Sequence, residues 1–194
     1  EMLNFDDRLE EFTSALTDFE IQNFVGNNIK KNDGIIQAVN IIKDVIIKDK
    51  NVFIIGNGGS AGIASHAAND FINMCGLKCI TFHDISVITC MTNDYGYDVT
   101  YQKLIENFSS NEDCLVAISS SGNSINIINA IEKFKEKNSH GRTITLSGFS
   151  HDNKLRKQGD LNFWVDSKSY GIVEIAHQFI LHFFADKIHQ DNSK

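Results

Sequence analysis

The 194 residues, 42% of them hydrophobic, are enough to bury a core and too few to demand two, so one compact domain over 1–194 is expected. A formal charge of −7, from 25 acidic and 18 basic side chains, argues against a general nucleic-acid binder, whose affinity for a phosphate backbone comes from clustered Lys and Arg. No apolar run approaches the roughly 18 residues that cross a bilayer, and Glu1 to Asp7 has no basic-then-apolar leader, so the expectation is a cytoplasmic chain without membrane partners.

Residues 1 to about 50 carry helical periodicity: Leu9, Phe12, Leu16 and Phe19 in one stretch, Ile35, Ile36, Val39, Ile42 and Val45 in another. This predicts a helical extension of two amphipathic helices before any strand. Residues 51–190 have a different texture, with five short apolar runs separated by helical stretches. The runs are Val52–Ile55, Cys79–Phe82, Cys114–Ile118, Thr143–Leu146 and Leu161–Val165. Near-continuous apolar runs with helices between them predict an α/β fold: an open five-stranded parallel sheet in a doubly wound, flavodoxin-like αβα sandwich. The stretch from Gly171 to about His189 is helical, with Ile172, Ile175, Phe179, Leu181, Phe183 and Ile188 nearly encircling it, so it expects burial against the sheet or another subunit. Cys75, Cys79, Cys90 and Cys114 form no CxxC pair and fall in or beside apolar segments, the pattern of reduced core thiols.

Open α/β sheets bind ligands beyond the carboxyl ends of their strands. After the first run comes Gly56-Asn57-Gly58-Gly59-Ser60, a flexible turn into a helix whose free N–H groups can receive an anion. It has neither the Lys-Ser/Thr ending of a P-loop nor the GxGxxG spacing, so no nucleotide fingerprint fits, and a plain tight turn is an equal reading. After the third run comes Ser119-Ser120-Ser121-Gly122-Asn123-Ser124. Four hydroxyls around one glycine at a helix start can surround a phosphate with neutral donors; the alternative is that Ser124 only caps the helix.

His66 and Asp70 are four residues apart on one helix, and Glu174 and His182 are eight apart on the last, about 80° around its axis. Two imidazoles and two carboxylates on facing helices suit zinc and also supply groups for moving protons. Taken singly, each could equally be a solvated charge or a core histidine. Spacing leaves His177, three residues after Glu174, as open a choice as His182.

The ordered set of Gly56–Ser60, then His66, then Asn93-Asp94-Tyr95-Gly96-Tyr97, then Ile118–Ser124 resembles the phosphoheptose isomerases of the SIS-domain type, over about Val52 to Phe184. The resemblance implies that Ser60, Ser119, Ser120, Ser121 and Ser124 line a sugar-phosphate site, with Asn57 and Asp94 near the sugar. It favours His182 over His177 and implies a metal and catalytic site, between subunits of a homotetramer, built from His66, Asp70, Glu174 and His182. In that reading Asp70 is the base, His182 the acid/base, and Zn²⁺ the metal. The implied reaction converts sedoheptulose 7-phosphate to D-glycero-D-manno-heptose 7-phosphate for bacterial surface polysaccharide. The chain departs from the family pattern at Asp70 (usually Glu), Glu174 (usually Gln), Met74 (usually Arg) and Gly171 (often Asp). Those departures keep two alternatives open: an isomerase of another sugar phosphate, or a sugar-phosphate-binding regulator without turnover.

Overall fold

The computed structural model describes residues 4–193; residues 1–3, part of the stretch read above for a leader, lie outside them. Helix α1 (Phe5–Asp18) starts at Asn4, whose side chain accepts from the Asp6 N–H, and leads into a hairpin of β1 (Glu20–Asn23) and β2 (Asn28–Ile29). Then follow α2 (Lys31–Ile47), β3 (Asn51–Ile55), α3 (Gly59–Cys75), β4 (Lys78–Ile80), α4 (Ile85–Tyr95) and α5 (Thr100–Phe108). The chain finishes with β5 (Cys114–Ser119), α6 (Ile125–Lys137), β6 (Arg142–Ser147), β7 (Leu161–Trp164) and α7 (Tyr170–Asn192). One-turn 3₁₀ segments occupy Tyr97–Val99 and Leu155–Lys157.

The sheet order is β2-β1-β7-β6-β5-β3-β4. Its five parallel strands are the five apolar runs, but the sheet has two more strands than expected, because β1 pairs antiparallel with β7 and with β2. The helical reading of the first 50 residues therefore needs correction. Phe19 looked like the next turn of α1, yet the helix stops before it and Phe19 stacks on Phe163 of β7. Ile21 follows as the buried residue of a four-residue strand, too short for its alternation to stand out.

Alternate residues of the central strands feed two cores. Val52, Ile54, Val116, Ile118, Ile144 and Leu146 face α1, α2, α3 and α7, whereas Phe53, Ile55, Leu115 and Ala117 face α5 and α6. Burial on both faces explains why the strands read as unbroken apolar runs. Cys75, Cys79 and Cys114 lie in the core; Cys90 departs from the expectation and is exposed on α4, a helix with no buried residue. Among the described residues no helix is long and apolar enough to cross a membrane.

Strand β3 is flanked by β5 on one side and β4 on the other, and the helices after β3 and β5 go to opposite faces. The chain therefore leaves the ends of β3 and β5 in opposite directions, opening a crevice between the two connections, where such sheets bind ligands.

Candidate active site

The two loops singled out in the sequence meet in that crevice. Asn57, Gly58, Gly59, Ser60, Ser119, Ser120, Ser121 and Ser124 line one cavity of about 360 Å³, joined by Tyr170 and Glu174 from the start of α7. Helix α3 begins there with Gly58 as its N-cap and no side-chain cap. Its first N–H groups, and the positive end of the helix dipole, are thus turned to the cavity.

The serine loop is held by backbone bonds, so its hydroxyls need not brace it. The Gly122 N–H donates to the Ser119 carbonyl, and the Gly148 N–H to the Ser120 carbonyl. Gly122 has φ +67°, and a Cβ there would lie 2.0 Å from Asn153 Oδ1, so only glycine fits. Ser124 stands at the N-cap of α6 but makes no side-chain cap bond; its hydroxyl accepts from Ser119 Oγ at 3.1 Å. The reading in which Ser124 only caps the helix therefore fails. Ser120 Oγ is buried with no partner among the described residues. A buried hydroxyl left unpaired costs about 1–3 kcal/mol, a cost that an oxyanion in the cavity would relieve. Ser120→Ala is accordingly expected to lower inorganic phosphate affinity by roughly tenfold while leaving the thermal midpoint unchanged or slightly raised. Calorimetric titration and a melting curve on the same samples measure both.

The second cluster lies further along α3. His66 and Asp70 meet His182 of α7, with one ligand atom from each side chain lying within 4.8 Å of the others. Asp70 Oδ2 is 2.8 Å from His182 Nδ1 and 3.6 Å from His66 Nε2. That oxygen is buried, yet its geometry makes a hydrogen bond with neither ring among the described residues. Ligand atoms about 2 Å from a tetrahedral zinc stand roughly 3.3 Å apart, so these spacings and this unbonded oxygen fit a divalent metal.

The choice between histidines is resolved by burial. His177 is fully buried, its Nε2 3.1 Å from the Ser147 carbonyl, and burial pushes its pKa down to about 4. It is a core residue, and His182 is the one at the cluster.

Glu174 sits apart from the trio. Its carboxylate lies against Gly59, where a Cβ would come within 2.4 Å of both oxygens, and desolvation raises its pKa. The reason is axial distance: eight residues turn a helix by about 80° but also advance it about 12 Å. Helices α3 and α7 run side by side in the same direction, matching Gly59 with Glu174, Asp70 with His182, and Cys75 with Ala185. Glu174 therefore faces the phosphate loops, two turns from His182.

Asp94 ends up exposed near the end of α4, accepting from Asn93 Nδ2 and Cys90 Sγ, and does not line the cavity. Met74 packs beside the core and its carbonyl faces His189 Nδ1 at 2.9 Å, while Gly171 has open space around it. Sequence reasoning missed Tyr170, which begins α7 with its ring against Phe149, and the amide of Asn126, paired with Asn57. An asparagine at the second position of the helix straight after the serine loop was the available signal for the latter.

The SIS domain family profile matches residues 21–148, which puts the chain in that class of sugar-phosphate proteins. The phosphoheptose isomerase of Helicobacter pylori strain P12 is 31% identical over 158 residues, 78% of this chain and 81% of that protein. The phosphoheptose isomerase of Fusobacterium nucleatum is 32% identical over 153 residues, 76% of this chain and 77% of that protein. The solved phosphoheptose isomerase of Neisseria gonorrhoeae superposes with a TM-score of 0.79 at 26% identity, covering 95% of this chain and 94% of that one. The chain belongs to the phosphoheptose isomerase family and is a sugar-phosphate isomerase.

Proposed function

We propose that this isomerase interconverts sedoheptulose 7-phosphate and D-glycero-D-manno-heptose 7-phosphate in the cytoplasm, supplying heptose for a bacterial surface polysaccharide. The observation that carries the reading is the pairing, on the parallel helices α3 and α7, of an anion cavity at one end with a His/Asp/His cluster further along. The relatives named phosphoheptose isomerase support the choice of substrate.

The phosphate sits among the serine hydroxyls and the free N–H groups of α3, which bind it as dipoles and orient the sugar. Asp70 removes a proton from C1 of the ketose, the electron pair forms the C1–C2 double bond of an enediol, and the same carboxyl returns a proton to C2. His182 exchanges the hydroxyl protons on O1 and O2, so that C1 becomes the aldehyde and C2 the carbinol. His66, Asp70 and His182 would hold a zinc ion, which supplies Lewis-acid polarisation of the substrate oxygens when bound. Glu174, on the cavity wall, completes the proposed set near the sugar.

The assembly is a homotetramer. Ile72, Ile175, Phe179 and Phe183 are 43–58% exposed on α3 and α7, the helices that carry the trio, and a second copy would bury them and close the site. Light scattering that finds only a 21.7 kDa monomer would remove this feature.

The test is incubation of zinc-loaded protein with sedoheptulose 7-phosphate in deuterated water, followed by NMR. Heptose 7-phosphate carrying deuterium at C2 is the expected result. Binding without product or exchange would leave an isomerase of another sugar phosphate.

A further inference from the structure

Asn57 lines the cavity, and three hydrogen bonds already claim most of its amide. Its Nδ2 donates to Asn126 Oδ1 and its Oδ1 accepts from Asn126 Nδ2, both at 2.9 Å; the Tyr97 hydroxyl donates to the same Oδ1 at 2.9 Å. Two amides facing each other could be reversed together without changing a heavy-atom position. The backbone decides their sense. The Ile127 N–H, which also bonds the Ser124 carbonyl at 3.1 Å, lies 3.0 Å from one terminal atom of Asn126; an NH₂ there would set two donors against each other, so that atom is the oxygen. With Asn126 fixed, the atom of Asn57 facing its oxygen is the nitrogen. Tyr97 agrees, since its hydroxyl finds an oxygen on Asn57 to donate to.

Asn126 is only 1% exposed, so water does not compete for its groups. Asn129, one position short of a full turn further along α6, donates to the Asp98 carbonyl at 2.9 Å and so ties down the 3₁₀ turn that carries Tyr97. Helix α6 thus holds both partners of the Asn57 amide. Both lone pairs of Asn57 Oδ1 are taken, and one N–H remains.

We propose that Asn126 and Tyr97 are positioning residues that fix the sense of the Asn57 amide, so that Asn57 offers an N–H to a ligand's sugar oxygen. This rests on reading the cavity as the sugar-phosphate site. The arrangement selects a ligand with an oxygen lone pair at that point, a carbonyl or hydroxyl oxygen, and disfavours one that can only donate.

The experiment is a double-mutant cycle on ligand affinity, using sedoheptulose 7-phosphate and, separately, inorganic phosphate. Asn126→Asp keeps the acceptor for Ile127 and loses the donor to Asn57; Tyr97→Phe loses only a hydroxyl on a side chain that is 48% exposed. Each is expected to weaken the sugar phosphate by about fivefold or more and inorganic phosphate by less than about twofold. In an Asn57→Ala background neither substitution should weaken the sugar phosphate further. Full additivity in that background, or an equal loss of inorganic phosphate, would overturn the inference. A second readout needs no ligand: the side-chain NH₂ cross-peaks of Asn57 in the NMR spectrum should shift in both variants. Unmoved cross-peaks would overturn the inference whatever the substrate. A wild-type protein that binds phosphate but not sedoheptulose 7-phosphate would sink the substrate reading alone, and the cross-peaks would still decide the amide clamp.

Discussion

Asp70→Asn is expected to lower kcat for sugar-phosphate isomerisation by about 10³-fold, within the range contributed by a positioned general base. An amide has the same shape but cannot take a proton from carbon. Asp70 Oδ2 is buried and free of hydrogen bonds among the described residues, which leaves its lone pairs for a substrate proton or a metal. Inorganic phosphate affinity should stay within about twofold, because the cavity is built from other residues. Zinc content measured alongside separates loss of a base from loss of a metal ligand, since the amide oxygen still offers one donor atom. Asp70→Glu, which restores the family's usual residue, should retain substantial turnover. A fully active Asp70→Asn enzyme would end the assignment of Asp70 as the base.

The second large effect is on stability in acid. His177 is fully buried, and its Nδ1 has no partner among the described residues. Its folded pKa is pushed down to about 4 by burial, from an ordinary value of 6.5. Between those two values the unfolded chain binds a proton that the folded chain refuses. Stability is therefore full above pH 6.5, falls as pH drops, and stops falling on this account below about 4; the loss amounts to about 3 kcal/mol. His177→Met removes the titration at similar bulk. The Ser147 carbonyl keeps a donor in that variant, because the Val165 N–H bonds it at 2.9 Å. Subtracting the variant's urea stability from the wild type's at each pH cancels the other titrating groups. A difference that is flat from pH 7 to pH 4 would show that His177 is not the acid-sensitive group.

Much of this molecule was legible in the order of its residues, and the unread parts share a cause. Val52–Ile55 and Cys114–Ile118 announced themselves because strands buried on both faces carry no polar interruption. The hairpin did not, because one buried isoleucine in a four-residue strand is no pattern, and Phe19 continued the helical one. At the site, serines and glycines after strands could be read by chemistry, since loop position and residue type coincide there. His66, Asp70 and His182 were placed by angular spacing together with the family resemblance. Angle and resemblance also put Glu174 with them; the rise along α7 sends it to Gly59 instead. Asn126 and Tyr97 were invisible because each acts through another side chain, and such partnerships exist only once the chain is folded.

The hairpin also determines how copies of this chain are able to meet. A parallel sheet that ended at β7 would present a four-residue strand as its margin, a ready template for a neighbouring strand. Instead the margins are β2, two residues long, and β4, three residues long. Neither gives a foreign strand enough backbone to lock a register. Growth of the sheet from one molecule into the next is thereby disfavoured, and any self-association falls to side-chain packing between helices, the kind of contact that can close on itself in place of running on as a fibre.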